Sequence, residues 1–573
     1  ITGVTTISAS GQDITLDEAA STFGTLSLTG ANVAVTDAGA TDLGASTVSG
    51  TLGITSGGAI TDSGTLAITG ATTFDNSGGS NDAITLDDSS NAFNGSVTFT
   101  TDSGSAVTIV NTTALDLVAL TAASLNVTAG GAVTDSGTLA IAGATTISAS
   151  GQDITLDEAA STFGTLALTG ANVAVTDAGA TDLGASTVSG TLGITSAGAV
   201  TDSGTLAITG VTTISASGQD ITLDEAASTF GTLSLTGANV AVTDAGATDL
   251  GANTVSGTLG ITSGGAITDS GTLAITGAAT FDNSGGTNDA ITLDDSSNSF
   301  NGSVTFTTDS GSAVTIVDTT ALDLVALTAA SLNVTAGGAV TDSGTLAITG
   351  ATTISASGQD VTLDEAASTF GTLSLTGANV AVTDAGATDL GASTVSGTLG
   401  ITSGGAITDS GTLAITGAAT LDNSGGTNDA ITLDDSSNAF NGTVTFTTDS
   451  GSAVTIVDTT ALDLVALTAA SLNVTAGGAV TDSGTLAIAV ATTISASGQD
   501  ITLDEAASTF GTLSLIGANV AVTDAGATDL GASTVSGTLG ITSAGAVTDS
   551  GTLAITGATT ISASGQDITL DEA

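Results

Sequence analysis

The chain has 573 residues, contains no Lys, Arg, His, Pro, Cys, Met, Trp or Tyr, and carries a formal net charge of −56 from Asp and Glu. This inventory excludes disulfides and thiolate metal sites, removes the usual general bases and activated nucleophiles, and offers no cation to a nucleic-acid phosphate. Hydrophobic residues make up 40% of the chain, too many for a disordered polyanion, and Phe is the only aromatic, so any core is narrow and aliphatic.

In chain order the first patterned run is Ile14-Thr15-Leu16, with two apolar side chains on one face and a hydroxyl on the other. The following Leu16-Asp17-Glu18-Ala19-Ala20 has some helix-forming composition but is too short to stand alone. Thr25-Leu26-Ser27-Leu28-Thr29 alternates strictly, and Val33 and Val35 repeat the alternation after Asn32. Leu52-Gly53-Ile54, Leu66-Ala67-Ile68 and Val97-Thr98-Phe99 do the same. A period of two in residues rich in β-branched types predicts short, half-buried strands. Gly57-Gly58 and Asp62-Ser63-Gly64 lie between the runs and read as turns. No apolar run reaches the ~18 residues of a membrane-spanning helix.

The pattern then returns almost letter for letter. Unit A occupies 7–73 and recurs at 147–213, 214–280, 354–420 and 494–560, with a partial copy at 561–573. Unit B occupies 74–146 and recurs at 281–353 and 421–493. A and B together set a 140-residue period, seen in the step from Gly218 to Gly358 to Gly498. No Pro- or Ser-rich linker separates the units, which predicts one continuous body over 1–573. Ile1 precedes the first unit boundary and Ala573 falls inside a unit, so the chain reads as a segment of a longer protein.

Repetition on this scale predicts an all-β solenoid, a parallel β-helix in which each coil buries its apolar face against its neighbours. Small β-sandwiches are the alternative, but they need larger core residues than these units contain. A coil of ~22 residues places about three coils in each 67- or 73-residue unit. The whole segment then holds ~26 coils and extends ~125 Å.

Runs such as Thr65-Leu66-Ala67-Ile68-Thr69-Gly70 and Gly50-Thr51-Leu52-Gly53-Ile54-Thr55 resemble the coils of filamentous-haemagglutinin-type adhesins. That family comprises large secreted bacterial proteins built on right-handed parallel β-helices. The resemblance implies a right-handed coil, an extracellular or cell-surface place and no catalysis. It lies in the style of repeat along the whole segment, and the copies are more alike than in an adhesin shaft of that type.

Among enzymatic readings only paired carboxylates remain, as in polysaccharide cleavage. The pairs Asp17-Glu18 and Asp87-Asp88 recur copy after copy, and neighbours in a strand face opposite ways, so no catalytic residue is assigned. The acids raise a second question, because like charges opposite one another destabilise a sheet and no Lys or Arg is present to relieve them. Divalent ions are one answer. The candidate ligands are Asp75, Asn76, Asn81 and Asp82 in the first B unit, Asp282, Asn283, Asn288 and Asp289 in the second, and Asp422, Asn423, Asn428 and Asp429 in the third. Oxygen-bearing side chains around glycines suit Ca²⁺, whereas an ordinary Asx turn facing solvent needs no ion. No cofactor is required.

The function expected from these readings is structural. The repeats form a segment of an extracellular filament or adhesin shaft that supplies length, stiffness and protease resistance and self-associates into fibres or cation-dependent bundles. Glycan or cell binding through the faces, a surface-layer or ice-binding role, and polysaccharide degradation are the alternatives, in that order.

Overall fold

The computed structural model of the chain describes residues 1–571. It is a parallel β-solenoid, and no helix occurs among the described residues. The residues form two units, one from Ile1 to Gly286 and one from Thr287 onward. In each unit short strands sort into two large parallel sheets, as the period-two runs predict, and in the second unit Leu327–Ala329 and Leu346–Ile348 form a separate parallel pair.

The strand Thr25–Gly30 shows how sequence becomes fold. Leu26 and Leu28 turn inward and are buried, while Thr25, Ser27 and Thr29 sit at the surface. Its inward positions lie opposite inward positions of the next lap, Leu26 opposite Leu43 and Gly30 opposite Val48. From there the ladder passes from Thr41 to Ile60, then to Ile84, Val107, Leu125, Thr145 and Leu166. Seven steps thus cover the 140 residues from Leu26 to Leu166, and a lap averages 20 residues (140/7). This is shorter than the 22 expected, because many strands have only three residues, such as Thr41–Leu43 and Ser46–Val48. The chain makes about 28 turns where ~26 were expected, and each unit holds about three.

The core is the aliphatic stack that the composition predicts. Leu66, Ile68, Ile84 and Leu86 are fully enclosed. Burying each such side chain contributes about 1.5–3 kcal/mol before chain entropy is charged against it. The B unit widens the core with Phe74, which meets Phe93 edge-on at 6.0 Å and stacks on Phe99 at 5.8 Å between ring centroids. Leu421 replaces this ring in the third B unit and is equally buried.

Corners decide where the laps touch. At Gly137 a Cβ would fall 1.2 Å from the carbonyl oxygen of Val118 on the preceding lap, so only glycine fits. At Gly11 the backbone has φ 71°, which turns the chain tightly between the first two strands.

Candidate functional site

The acids are placed by the laps in a regular way, and this arrangement is the chemical feature of the molecule. In the ladders Thr25–Asp42–Thr61 and Thr55–Asp75–Thr100 each outward Asp lies between hydroxyl residues of adjacent laps, not between acids. Asp42 Oδ2 accepts hydrogen bonds from Thr25 Oγ1 at 2.7 Å and Ser63 Oγ at 2.8 Å. Asp13 Oδ1 accepts from Asn32 Nδ2 at 2.9 Å, and Asn32 Oδ1 accepts from the Thr51 N–H at 3.0 Å. Neutral donors therefore separate charges that direct stacking would oppose.

A second set of acids caps turns of the following lap. Asp62 accepts the backbone N–H of Asp87 at 2.9 Å and of Asp88 at 3.3 Å. Asp135 accepts the N–H of Asp157 at 2.8 Å, and Asp342 and Asp482 make the same bond to Asp364 and Asp504. Burial pushes the carboxyls of Asp62, Asp135, Asp202, Asp342 and Asp482 above the ordinary carboxylate range, against the pull of these hydrogen bonds. The recurring Asp17-Glu18 and Asp87-Asp88 pairs thus mark turns whose caps come from a lap away.

A third set lies inside the corners. Asp177, Asp244 and Asp384 are each 1% exposed. Desolvation raises them as well, while Gly, Thr and Phe donors hold the charged form. Thr181, Thr248, Thr388 and Thr528 supply the hydroxyl donors, to Asp177, Asp244, Asp384 and Asp524 respectively.

The candidate ion loops are Asx turns. Asp75 Oδ1 accepts from the N–H and Oγ of Ser77, at 3.0 and 2.7 Å. Asp82 Oδ2 accepts from the Ser80 N–H at 3.2 Å. Asn76 is buried, and its Nδ2 donates to the Asp82 carbonyl at 2.7 Å. Asn81 occupies the left-handed region at φ 59°, and its N–H donates to Asp102 Oδ2 at 3.2 Å.

The third copy repeats these bonds. Asp422 accepts from Ser424, Asp429 from Thr427, and Asn423 donates to Asp429. Asn428 has φ 59° and donates to Asp449. In the second copy Asp282 accepts from Ser284 and Asp289 from Thr287. There Asn283 is buried and Asn288 has φ 58°. In the first and third copies the side chain of Asn76 or Asn423 thus reaches the backbone carbonyl of Asp82 or Asp429 across the loop. No group of three or more acids arranged to hold a metal ion occurs among the described residues. Asp102 and Asp449 were not named from the sequence; their signal is the Asp-Ser-Gly turn that follows each Val-Thr-Phe-Thr run.

Each B unit also carries a shallow groove at the same place. In the first it is lined by Thr98, Phe99, Thr101, Ala119, Leu120 and Thr121 and has a volume of about 340 Å³. The second and third copies measure about 360 and 390 Å³. The groove forms where the ladder thins: the strands Val97–Thr100 and Leu115–Leu117 share only the pair Val97–Leu117.

Comparison with known proteins gives one match. The family described as repeats of unknown function (DUF5649) matches at residues 30–100, 104–169, 170–236, 237–307, 311–376, 377–447, 451–516 and 517–573. The matched segments are out of phase with the A and B boundaries, each spanning parts of two units. No curated protein and no solved structure matches the chain.

Proposed function

This chain belongs to that family of repeats (DUF5649), and on that footing we propose that it is a structural segment of an extracellular filament or adhesin shaft. Its task is mechanical: stiffness, resistance to proteases and association with further copies. The observation that carries this reading is the bonding between laps. Backbone ladders join each lap to the next, and capping acids such as Asp62 and Asp135 add side-chain bonds across the same seams. The extracellular place rests on the resemblance to filamentous-haemagglutinin-type adhesins. Absence of Lys and Arg removes trypsin-type cleavage points whatever the fold.

The outward carboxylates suit a cation-dependent bundle, in which Ca²⁺ bridges neighbouring molecules that repel one another in low salt. Single-molecule pulling on the whole chain tests the mechanical reading. Resistance released in lengths of about one 20-residue lap supports it, and a chain that extends without resisting overturns it. Light scattering on adding Ca²⁺ at constant ionic strength tests bundling.

The groove recurring in each B unit favours a second reading, recognition of a glycan through a row of threonine hydroxyls. Retention of the repeats on a glycan array, lost on Thr121→Val, would favour it.

A further inference from the structure

The corner that holds Asp37 in unit A holds Asn111, Asp318 and Asp458 in the three B units, each 1% exposed. One change in the surroundings separates the two kinds of unit. Four residues on, unit A has Thr; in the first copy Thr41 donates to Ser56 Oγ at 3.0 Å, and in the other four full copies the hydroxyl donates to the second carboxylate oxygen: Thr181 to Asp177 at 3.1 Å, Thr248 to Asp244 at 3.2 Å, Thr388 to Asp384 at 3.1 Å and Thr528 to Asp524 at 2.9 Å. Unit B has Leu115, Leu322 and Leu462 there, and the donor is gone.

In the first B unit the loss is compensated within the side chain. Asn111 Oδ1 accepts the Phe93 N–H at 2.9 Å, which fixes the amide orientation. Its Nδ2 then donates to two carbonyl oxygens, Phe93 at 3.2 Å and Ala114 at 2.9 Å. Asp318 and Asp458 keep the first half of this pattern. Oδ1 of Asp318 accepts from the N–H of Phe300 at 3.1 Å and of Thr320 at 3.0 Å, and Oδ1 of Asp458 does the same from Phe440 and Thr460. Oδ2 in both is buried and has no hydrogen-bond partner. It stands where Asn111 presents a donor to carbonyl oxygens, so a charged oxygen there meets acceptors and no donor.

We infer that Asp318 is a proton-binding site, held as a neutral carboxylic acid whose Oδ2–H takes the place of the Asn111 amide N–H; the corner at Asp458 repeats its hydrogen-bond geometry. The proton comes from water as the corner closes, and the hydroxyl then donates to the carbonyl oxygens of residues 300 and 321. A buried acid without a donor meets the cost of an unpaired group, and protonation removes both the charge and the mismatch. The neighbours that meet Asp318 directly, Phe300 and Thr320 through hydrogen bonds and Ala336 opposite it on the next lap, include no titratable side chain. Desolvation leads the rise of the Asp318 carboxyl. The inference is independent of the proposed mechanical role. It makes the Asp318 corner pH-sensitive and leaves the Asn111 corner insensitive.

Infrared difference spectroscopy of the whole chain at neutral pH reads this directly. A protonated-carboxyl C=O band is expected, absent from the double variant Asp318→Asn/Asp458→Asn. It is also expected to disappear in Leu322→Thr/Leu462→Thr, which restores the missing donor. The Asn variant should match the parent in melting temperature at acidic pH and exceed it as pH rises above neutral. Absence of the band in the parent at neutral pH, or its persistence in the Asn double variant, would overturn the inference.

Discussion

Thr145 has a fully enclosed hydroxyl with no hydrogen-bond partner, and the same is true of Thr212, Thr352 and Thr492. The equivalent places in the A units at 214–280 and 354–420 hold Ala279 and Ala419, both buried. The chain itself thus shows that the hydroxyl is dispensable. An unpaired buried hydroxyl costs about 1–3 kcal/mol, so Thr145→Val, which keeps the branched shape, is expected to stabilise its strand by about 1 kcal/mol. Slower amide exchange in Leu139–Ser148 would register the gain; faster exchange would contradict it. Gly137 is the opposite case. Both atoms in its close approach to Val118 belong to backbone, so Gly137→Ala forces the laps apart, and exchange should accelerate on both sides of that seam. Unchanged protection there would show that the laps yield more easily than their geometry implies.

Strands were legible in the sequence because alternation is local: Leu26-Ser27-Leu28 announces its own inward and outward faces. The lap length was less legible, since it depends on corners whose sizes differ, from the 17-residue step Leu26–Leu43 to the 24-residue step Ile60–Ile84. The capping acids were illegible for the same reason. Asp135 and the turn it serves are 22 residues apart, and nothing near either one names the other. The loop 75–82 could be picked out by composition, but the hydrogen bonds its carboxylates accept from Ser77 and Ser80 could not. At this scale Asp135→Ala is expected to loosen the turn that starts at Asp157 by about 1–3 kcal/mol, because its N–H loses its acceptor in a half-buried place. Asp135→Asn keeps an acceptor oxygen and should lose much less. Exchange rates across Ile154–Leu156 and the following turn would separate the two variants, and equal effects would argue against the cap.

For the whole molecule, the 20-residue lap divides the 140-residue period evenly but not unit A, since 67/20 leaves about a third of a lap over. Thr162–Gly170 follows Thr25–Gly30 after one full period and lies in the same sheet, whereas the next copy, Thr232–Gly237, lies in the other. Identical residues serve on either sheet, so each copy of unit A presents acids in the same three settings, and their titration adds up over the chain. Asp62, Asp135, Asp177, Asp202, Asp244, Asp318, Asp342, Asp384 and Asp482 are all raised in the folded state, with desolvation the leading cause. A carboxyl raised on folding binds its proton more tightly in the folded chain. Its contribution to stability is complete below the ordinary carboxylate range and is lost as pH rises through the raised folded values. Mutual repulsion of 56 acids without a basic side chain acts in the same direction, because protonation relieves it. Most proteins lose stability when carboxylates engaged in the native state are protonated. This one is expected to melt at higher temperature as pH falls from about 7 towards about 4, near the ordinary carboxylate value, and at higher temperature in NaCl at neutral pH. Melting curves at fixed ionic strength test the first expectation and a salt series tests the second. A melting temperature that falls on mild acidification would mean that the capping hydrogen bonds outweigh desolvation at these carboxyls.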